Sequence, residues 1–320
     1  MSNKIIVGVD GSDTSFEALR WAVYEAGRRS AEIKIVSCYT APAYGGLGGA
    51  VYPTAVELET LKDESAELVQ RAVDIAVGID RELVVEGVTL MSSPVVGLAE
   101  SALPGDQIVV GTTGHTGLVD GLVGSVTTGV THRAHVPVVV VPFKASTKVG
   151  AAMKRIVVGV DGSPESLRAL AWAYDEALAS GAVLDVVHAW AYPYSVSRNS
   201  MREVRKPMEF EAVNELQTSL DSLGARLTEG SVVVNPKLCE NTPAEALLKA
   251  GSRADLIVVG SRGRGGLRSV LLGSVSRSVM YHALCPVAVV RTDGCRSLHH
   301  RVRLHHDSHE PQVASAAPMR

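Results

Sequence analysis

The sequence predicts two tandem α/β domains, each a doubly wound parallel sheet with helices on both faces. Three observations carry the prediction: an internal repeat of domain length, Val/Ile runs alternating with amphipathic segments, and an aliphatic composition. IIVGVDGS beginning at Ile5 returns as IVVGVDGS at Ile156, identical at seven of eight positions with an offset of 151 residues. The 31 residues from Gly111 return from Gly260 with 14 identities at an offset of 149. Both ends of the unit repeat in register, so the repeat is a whole domain and not a solenoid element. At 320 residues the chain has the length for two such domains. Their expected limits are 1–145 and 153–292.

Within the first unit the Val/Ile runs predict strands at 4–9, 32–39, 82–90, 107–111 and 136–141. In the second they fall at 155–160, 183–190, 231–238, 255–260 and 286–291. Helices are expected between them. Over 13–29 and 164–180, apolar residues such as Phe16, Leu19, Val23 and Leu167, Leu170, Tyr174 recur at three- and four-residue steps. Ser12 and Ser163 stand where an N-cap is wanted, and Pro164 follows at the first helical position. Alternating strands and helices of this length give right-handed βαβ crossovers and a sheet covered on both faces. The Gly/Pro-rich stretch 41–53 predicts a mobile loop, 142–154 a linker, and 293–320, which lacks any apolar period, a disordered His-containing tail.

Hydrophobic residues make up 46% of the chain with only 3 Phe, 3 Trp and 8 Tyr, which suits a buried parallel sheet. A net charge of −3 argues against nucleic acid as the main partner. Four widely spaced cysteines without a CxxC pair fit neither a zinc site nor a disulfide framework. No signal-peptide pattern opens the chain, and its longest apolar stretch, near Val136–Phe143, is far short of a membrane span. A cytoplasmic protein without membrane insertion is expected.

In an open parallel sheet, ligands bind beyond the carboxyl ends of the strands where strand order reverses. The loops after each fourth strand read G-x2-G-x9-G-S: Gly111, Gly114, Gly124, Ser125 and Gly260, Gly263, Gly273, Ser274. Glycines let the backbone approach an anion closely, and the closing Gly-Ser opens a helix whose free N–H groups and dipole favour phosphate. The pattern makes a phosphate cradle without a Walker lysine. Taken singly, such glycines simply make a tight strand-helix turn; its double occurrence favours the cradle. No G-x4-G-K-[ST], G-x-G-x-x-G after the first strand, G-x-S-x-G or H-E-x-x-H is present. His115, His132 and His135 lack an acidic partner at a telling spacing, so no catalytic residue is assigned.

GVDGS after the first strand, the glycine loop and the HALCPVAVVR that follows resemble the universal stress protein family, over about 3–143 and 153–292. The resemblance implies five-stranded sheets of order 3-2-1-4-5, ATP bound by the loop in each half, and fifth strands, Val136–Val141 and Cys285–Arg291, paired across a pseudo-twofold. By position, Val9 and Asp10, with Val160 and Asp161, resemble the residues that contact base and ribose. Cys38 and Ala189 fall where backbone groups meet adenine. Ser125, Val126 and Thr127, with Ser274, Val275 and Ser276, resemble the segment around the distal phosphates.

The halves differ in charge. The second loop carries Arg262, Arg264 and Arg268 where the first has Thr113, His115 and Val119. Site two is therefore expected to bind ATP more tightly at low ionic strength, because salt screens exposed charges. The resemblance implies an ATP-binding stress-response regulator, with Mg²⁺ accompanying the triphosphate, nucleotide occupancy shifting conformation or oligomeric state, and a homodimer. A slow ATPase and an interaction scaffold with vestigial loops are the alternatives.

Overall fold

The structure is a computed structural model that describes residues 4–40, 44–46, 49–51, 54–114, 123–143, 152–192, 201–229, 231–264 and 272–291. The first repeat contains β1 (Lys4–Gly8), α1 (Asp13–Arg29), β2 (Glu32–Tyr39), the short β3 (Tyr44–Gly46) and β4 (Gly49–Val51), α2 (Ala55–Ile79), β5 (Val85–Met91), α3 (Pro94–Ser101), β6 (Gln107–Gly111), α4 (Ser125–Arg133) and β7 (Val138–Val141). The second contains β8 (Arg155–Gly159), α5 (Pro164–Ser180), β9 (Val183–Trp190), α6 (Met201–Asp221), α7 (Arg226–Glu229), β10 (Val234–Glu240), α8 (Pro243–Gly251), β11 (Leu256–Gly260), α9 (Ser274–His282) and β12 (Val287–Val290).

The ten long strands form one sheet of order β10-β9-β8-β11-β12-β7-β6-β1-β2-β5. Each half therefore has the expected order 3-2-1-4-5. Every neighbouring pair is parallel except β7 and β12, which run antiparallel with Val138 opposite Val289 and Val140 opposite Val287. Two Val-rich strands that would otherwise be open edges thus satisfy each other's backbone at the centre of the molecule. All four residues of each are buried. Helices α1, α2, α5 and α6 cover one core layer, around Leu19, Ile35, Leu170 and Leu184. Helices α3, α4, α8 and α9 cover the other, around Leu98, Val130, Leu247 and Val279. Both layers run across the two repeats.

Helices α1 and α5 start and stop at the expected residues. Ser12 and Ser163 accept hydrogen bonds from the N–H of Ser15 and Ser166, and Ser30 and Gly181 close the helices in the left-handed conformation. The fifth strands begin later than expected because Pro137 and Pro286 have no N–H to give; their carbonyls instead accept from Ile108 and Ile257. The third strands are displaced toward the C-terminus, to 85–91 and 234–240. Within the stretch 41–53, expected as a loop, β3 and β4 pair antiparallel. Residues 144–151 of the expected linker and the tail 293–320 lie outside the described residues.

Candidate functional site

Strand order reverses between β1 and β6 in the first repeat and between β8 and β11 in the second. At the carboxyl ends of β8 and β11 opens a cavity of about 950 Å³. That is at the upper end of the usual volume for small-molecule sites, ~300–1,000 Å³. Its lining includes Val160, Asp161, Ala189, Gly260, Arg262, Gly263, Arg264, Gly273, Ser274, Val275 and Ser276, the second half's expected nucleotide-binding residues. Helix α6 closes the other side with Met208, Glu211, Ala212 and Glu215.

The turn after β8 is built around Asp161. Gly162 has φ +77°, the left-handed conformation that glycine alone adopts without strain. It lets the chain fold back so that the N–H and Oγ of Ser163 donate to Asp161 Oδ1 at 3.0 and 2.6 Å. The Arg264 N–H donates to Oδ2 at 3.1 Å, tying the glycine loop to the turn. Burial pushes the Asp161 carboxyl up, but the hydrogen bonds from Ser163, Ser166 and Arg264 outweigh it and hold the group below the usual carboxylate range. A Cβ at Gly263 would run into Asp161 Oδ2.

The loop's far end is pinned by the Gly273 N–H, which donates to the Ser261 carbonyl at 2.8 Å. Gly273 caps α9 and no side chain bonds to that helix end, so its first N–H groups face outward beside the cavity. The Ser276 hydroxyl points the other way and donates to the Gly260 carbonyl at 2.6 Å. What Ser276 can offer a ligand is therefore its backbone. Ala189 lies on the cavity wall, and Val160 is in the core with its carbonyl facing His188 Nδ1 at 2.9 Å.

The first repeat has the same turn and the same glycine contacts among its described residues. Gly11 has φ +86°. Asp10 Oδ1 accepts from the Ser12 N–H and Oγ at 3.1 and 2.6 Å. A Cβ at Gly114 would lie 2.5 Å from Asp10 Oδ2, and one at Gly111 2.7 Å from the Thr14 carbonyl. The Gly124 N–H donates to Thr112 O at 2.7 Å, and Thr127 Oγ1 to Gly111 O at 2.6 Å. Gly124 caps α4, again without a side-chain bond, ahead of Ser125 and Val126. Val9 is buried in the core, as Val160 is. Cys38 differs from Ala189: its Sγ faces α3, where a Cβ at Gly97 would come within 2.7 Å, and burial pushes the thiol up to about 11.

The charge contrast between the loops takes a form not anticipated from sequence. Arg262 lies 3.6 Å from Glu165, and Arg264 pairs with Glu215 on α6. At the equivalent positions of the first repeat, Thr14 Oγ1 donates to the Thr113 carbonyl. An ion pair in one half stands where a hydroxyl contact stands in the other, so the two arginines are accompanied by carboxylates and are not an excess of positive charge. His115, Val119 and Arg268 lie outside the described residues. Glu165, His188 and Glu215 carry no motif that marks them in the sequence. The signal available for His188 was its place beside Ala189, where the first half has Ser37.

Two doubly wound units sharing one sheet, each with an acidic turn and a glycine loop at its switch point, define a tandem α/β protein. Residues 1–142 and 153–291 match the universal stress protein family, and the chain belongs to it. It is 34% identical over 298 residues to universal stress protein Rv2005c of Mycobacterium tuberculosis, covering 90% of this chain and 96% of that one. A universal stress protein of Mycolicibacterium smegmatis is 31% identical over 293 residues with the same coverages. Among solved structures, a universal stress protein from Archaeoglobus fulgidus covers 91% of this chain and 99% of its own, with 22% identity and a TM-score of 0.61, a likeness of fold. A universal stress protein solved in complex with cAMP covers 44% of this chain and 98% of its own, with 30% identity and a TM-score of 0.35.

Proposed function

We propose that this chain is an adenine-nucleotide-binding regulator of stress responses, with one ATP site in each of two units at 1–145 and 153–292. In this reading occupancy shifts the conformation or self-association of a cytoplasmic protein. The observation that carries it is the cavity of the second repeat, where the uncapped start of α9, the glycine loop and Asp161 converge at the switch point. The N–H groups of Ser274, Val275 and Ser276 would hold phosphate oxygens, as would those of Ser125, Val126 and Thr127 in the first repeat. Asp161 and Asp10 would accept from ribose hydroxyls, and backbone groups at Ala189 and Cys38 would meet the base.

Among the described residues no group of three or more His, Cys, Asp or Glu could hold a metal ion. Mg²⁺ would therefore arrive on the nucleotide, held by phosphate oxygens and water, as this ion usually is. Also among the described residues, no helix is long and apolar enough to cross a membrane.

The test is whether freshly purified protein releases adenine nucleotide into the supernatant on heat denaturation, followed by calorimetry with ATP. Two sites are expected, falling to one in Gly263→Val, whose side chain would displace the loop from Asp161. Protein that is nucleotide-free and takes up none at millimolar concentration would sink the proposal.

A further inference from the structure

We propose that Glu215 is the specificity-determining residue of the second repeat's cavity: by holding the Arg264 guanidinium, it sets how strongly the cavity prefers a phosphorylated ligand to a neutral nucleoside. The inference rests on the nucleotide reading above and concerns which nucleotides the site accepts.

Arg264 joins three parts of the cavity. Its N–H is bound to Asp161 Oδ2, and its side chain lies over the turn, where a Cβ at Gly162 would sit 2.5 Å from Nη2. From there it reaches across to Glu215 on α6. Behind Glu215 stands His188. His188, buried on β9, donates from Nδ1 to the Val160 carbonyl, which can only accept, and its Nε2 lies 3.3 Å from Glu215 Oε2. The strand register puts apolar Leu238 beside His188. The charged groups described along the cavity are Asp161, Glu165, Glu211, Glu215, Arg262 and Arg264. The second arginine is likewise accompanied, by Glu165 at 3.6 Å.

A phosphate reaching this loop gains Arg264 only by taking it from a carboxylate. A nucleoside has nothing to exchange and leaves the pair intact. A polyphosphate offers several charged oxygens to the planar guanidinium and wins the exchange. The Glu215–Arg264 pair thus imposes a cost of exchange that a phosphorylated ligand meets and a neutral nucleoside does not, which narrows the cavity's preference for the charged ligand over the neutral one. The Arg264 side chain is 52% exposed, so the pair is worth only what a partly solvated ion pair is worth, and its effect on selectivity is modest.

The experiment is calorimetry of adenosine and ATP binding to the full chain carrying Gly114→Val, which blocks the first loop so that the second cavity is read alone. In that background Glu215→Gln should tighten ATP binding about two- to fivefold, the range of a partly exposed ion pair, and leave adenosine unchanged. Arg264→Gln should weaken ATP binding and make a further Glu215→Gln silent, the signature of a coupled pair. Glu211→Gln removes a carboxylate from the same cavity without touching Arg264, and should give a smaller gain. The inference is overturned by an equal gain for adenosine and ATP, by an equal gain from Glu211→Gln, or by a gain that persists without Arg264. If ATP binds and none of these substitutions alters it, the inference fails and the nucleotide reading stands; if the parent binds no nucleotide, both fail.

Discussion

Asp161 shows how one side chain links the turn, the loop and the solvent. Its carboxylate collects donors from Ser163 and Arg264, and it can do so only while ionised, since protonation would place a hydrogen against one of them. The folded group is held below its ordinary value, so its contribution is present above the unfolded pKa and is lost as pH falls through the lower folded one. Stability measured as a urea midpoint should therefore decline as pH falls below the ordinary carboxylate value of about 4, and Asp161→Asn should be less stable at neutral pH but flatter in acid. An unchanged acid slope in the variant would place the sensitivity elsewhere, with buried Asp185 the next group to replace: it too is held low, by Lys237, Arg155 and Asn235 against the opposing effect of burial. Gly263 belongs to the same unit. The loop can reach Asp161 because no side chain stands between them, and this close approach is the physical reason for a glycine at that place in the spacing.

At the scale of elements, the Ser caps of α1 and α5 do two jobs. Ser163 Oγ accepts from the Ser166 N–H at 3.2 Å and donates to Asp161 at 2.6 Å. Thr54 caps α2 through a reciprocal box with Glu57 and does not line the second repeat's cavity. Both Ser163→Ala and Thr54→Ala should cost ~1 kcal/mol in denaturant titrations. Only Ser163→Ala should also weaken ATP binding; equal loss in both would mean that the cap acts through stability alone. These helices were legible in the sequence because cap, apolar period and stop signal agree. The glycine loops were legible because the spacing occurs twice, and the strand order came with the family resemblance. A helix was expected in the gap that α6 fills, but its limits and phase were not legible: Pro207 lies inside it, and its apolar stripe is weak. Without the phase of α6, nothing in the sequence says that Glu215 faces Arg264, 49 residues away. The edge strands β5 and β10 were displaced for a related reason, since their mixed burial gives no clean apolar run to mark where they begin.

The whole molecule is held as one by a contact that the repeat alone would not produce. Across the pseudo-twofold, α1 meets α5 at Glu25 and Glu176, equivalent residues at the 151 offset, both almost wholly buried. Their counter-charges are not symmetric. Arg28 pairs with Glu25, Arg29 reaches both glutamates, and its guanidinium also lies 5.5 Å from the Trp172 ring centre. The second repeat has Ala179 and Ser180 where the first has Arg28 and Arg29. Each half thus contributes an acid while the first supplies both bases, so a second repeat pairing with its own copy would bury two carboxylates without a cation. Removing one partner of a buried pair costs far more than the intact pair contributes, ~3–5 kcal/mol, because an uncompensated charge stays behind. Arg29→Met should therefore destabilise the full chain by roughly that amount, and the fourfold change Glu25→Leu, Arg28→Met, Arg29→Met, Glu176→Leu, which leaves no member of the cluster charged, should recover most of the loss in the same urea titration. If the charges serve pairing as well as stability, the fourfold variant regains its midpoint yet loses the bias toward intrachain association, and cross-linking should detect second repeats joined between chains that the parent does not form. A single variant as stable as the parent would show that the strand pair β7–β12 joins the halves without help from the helices.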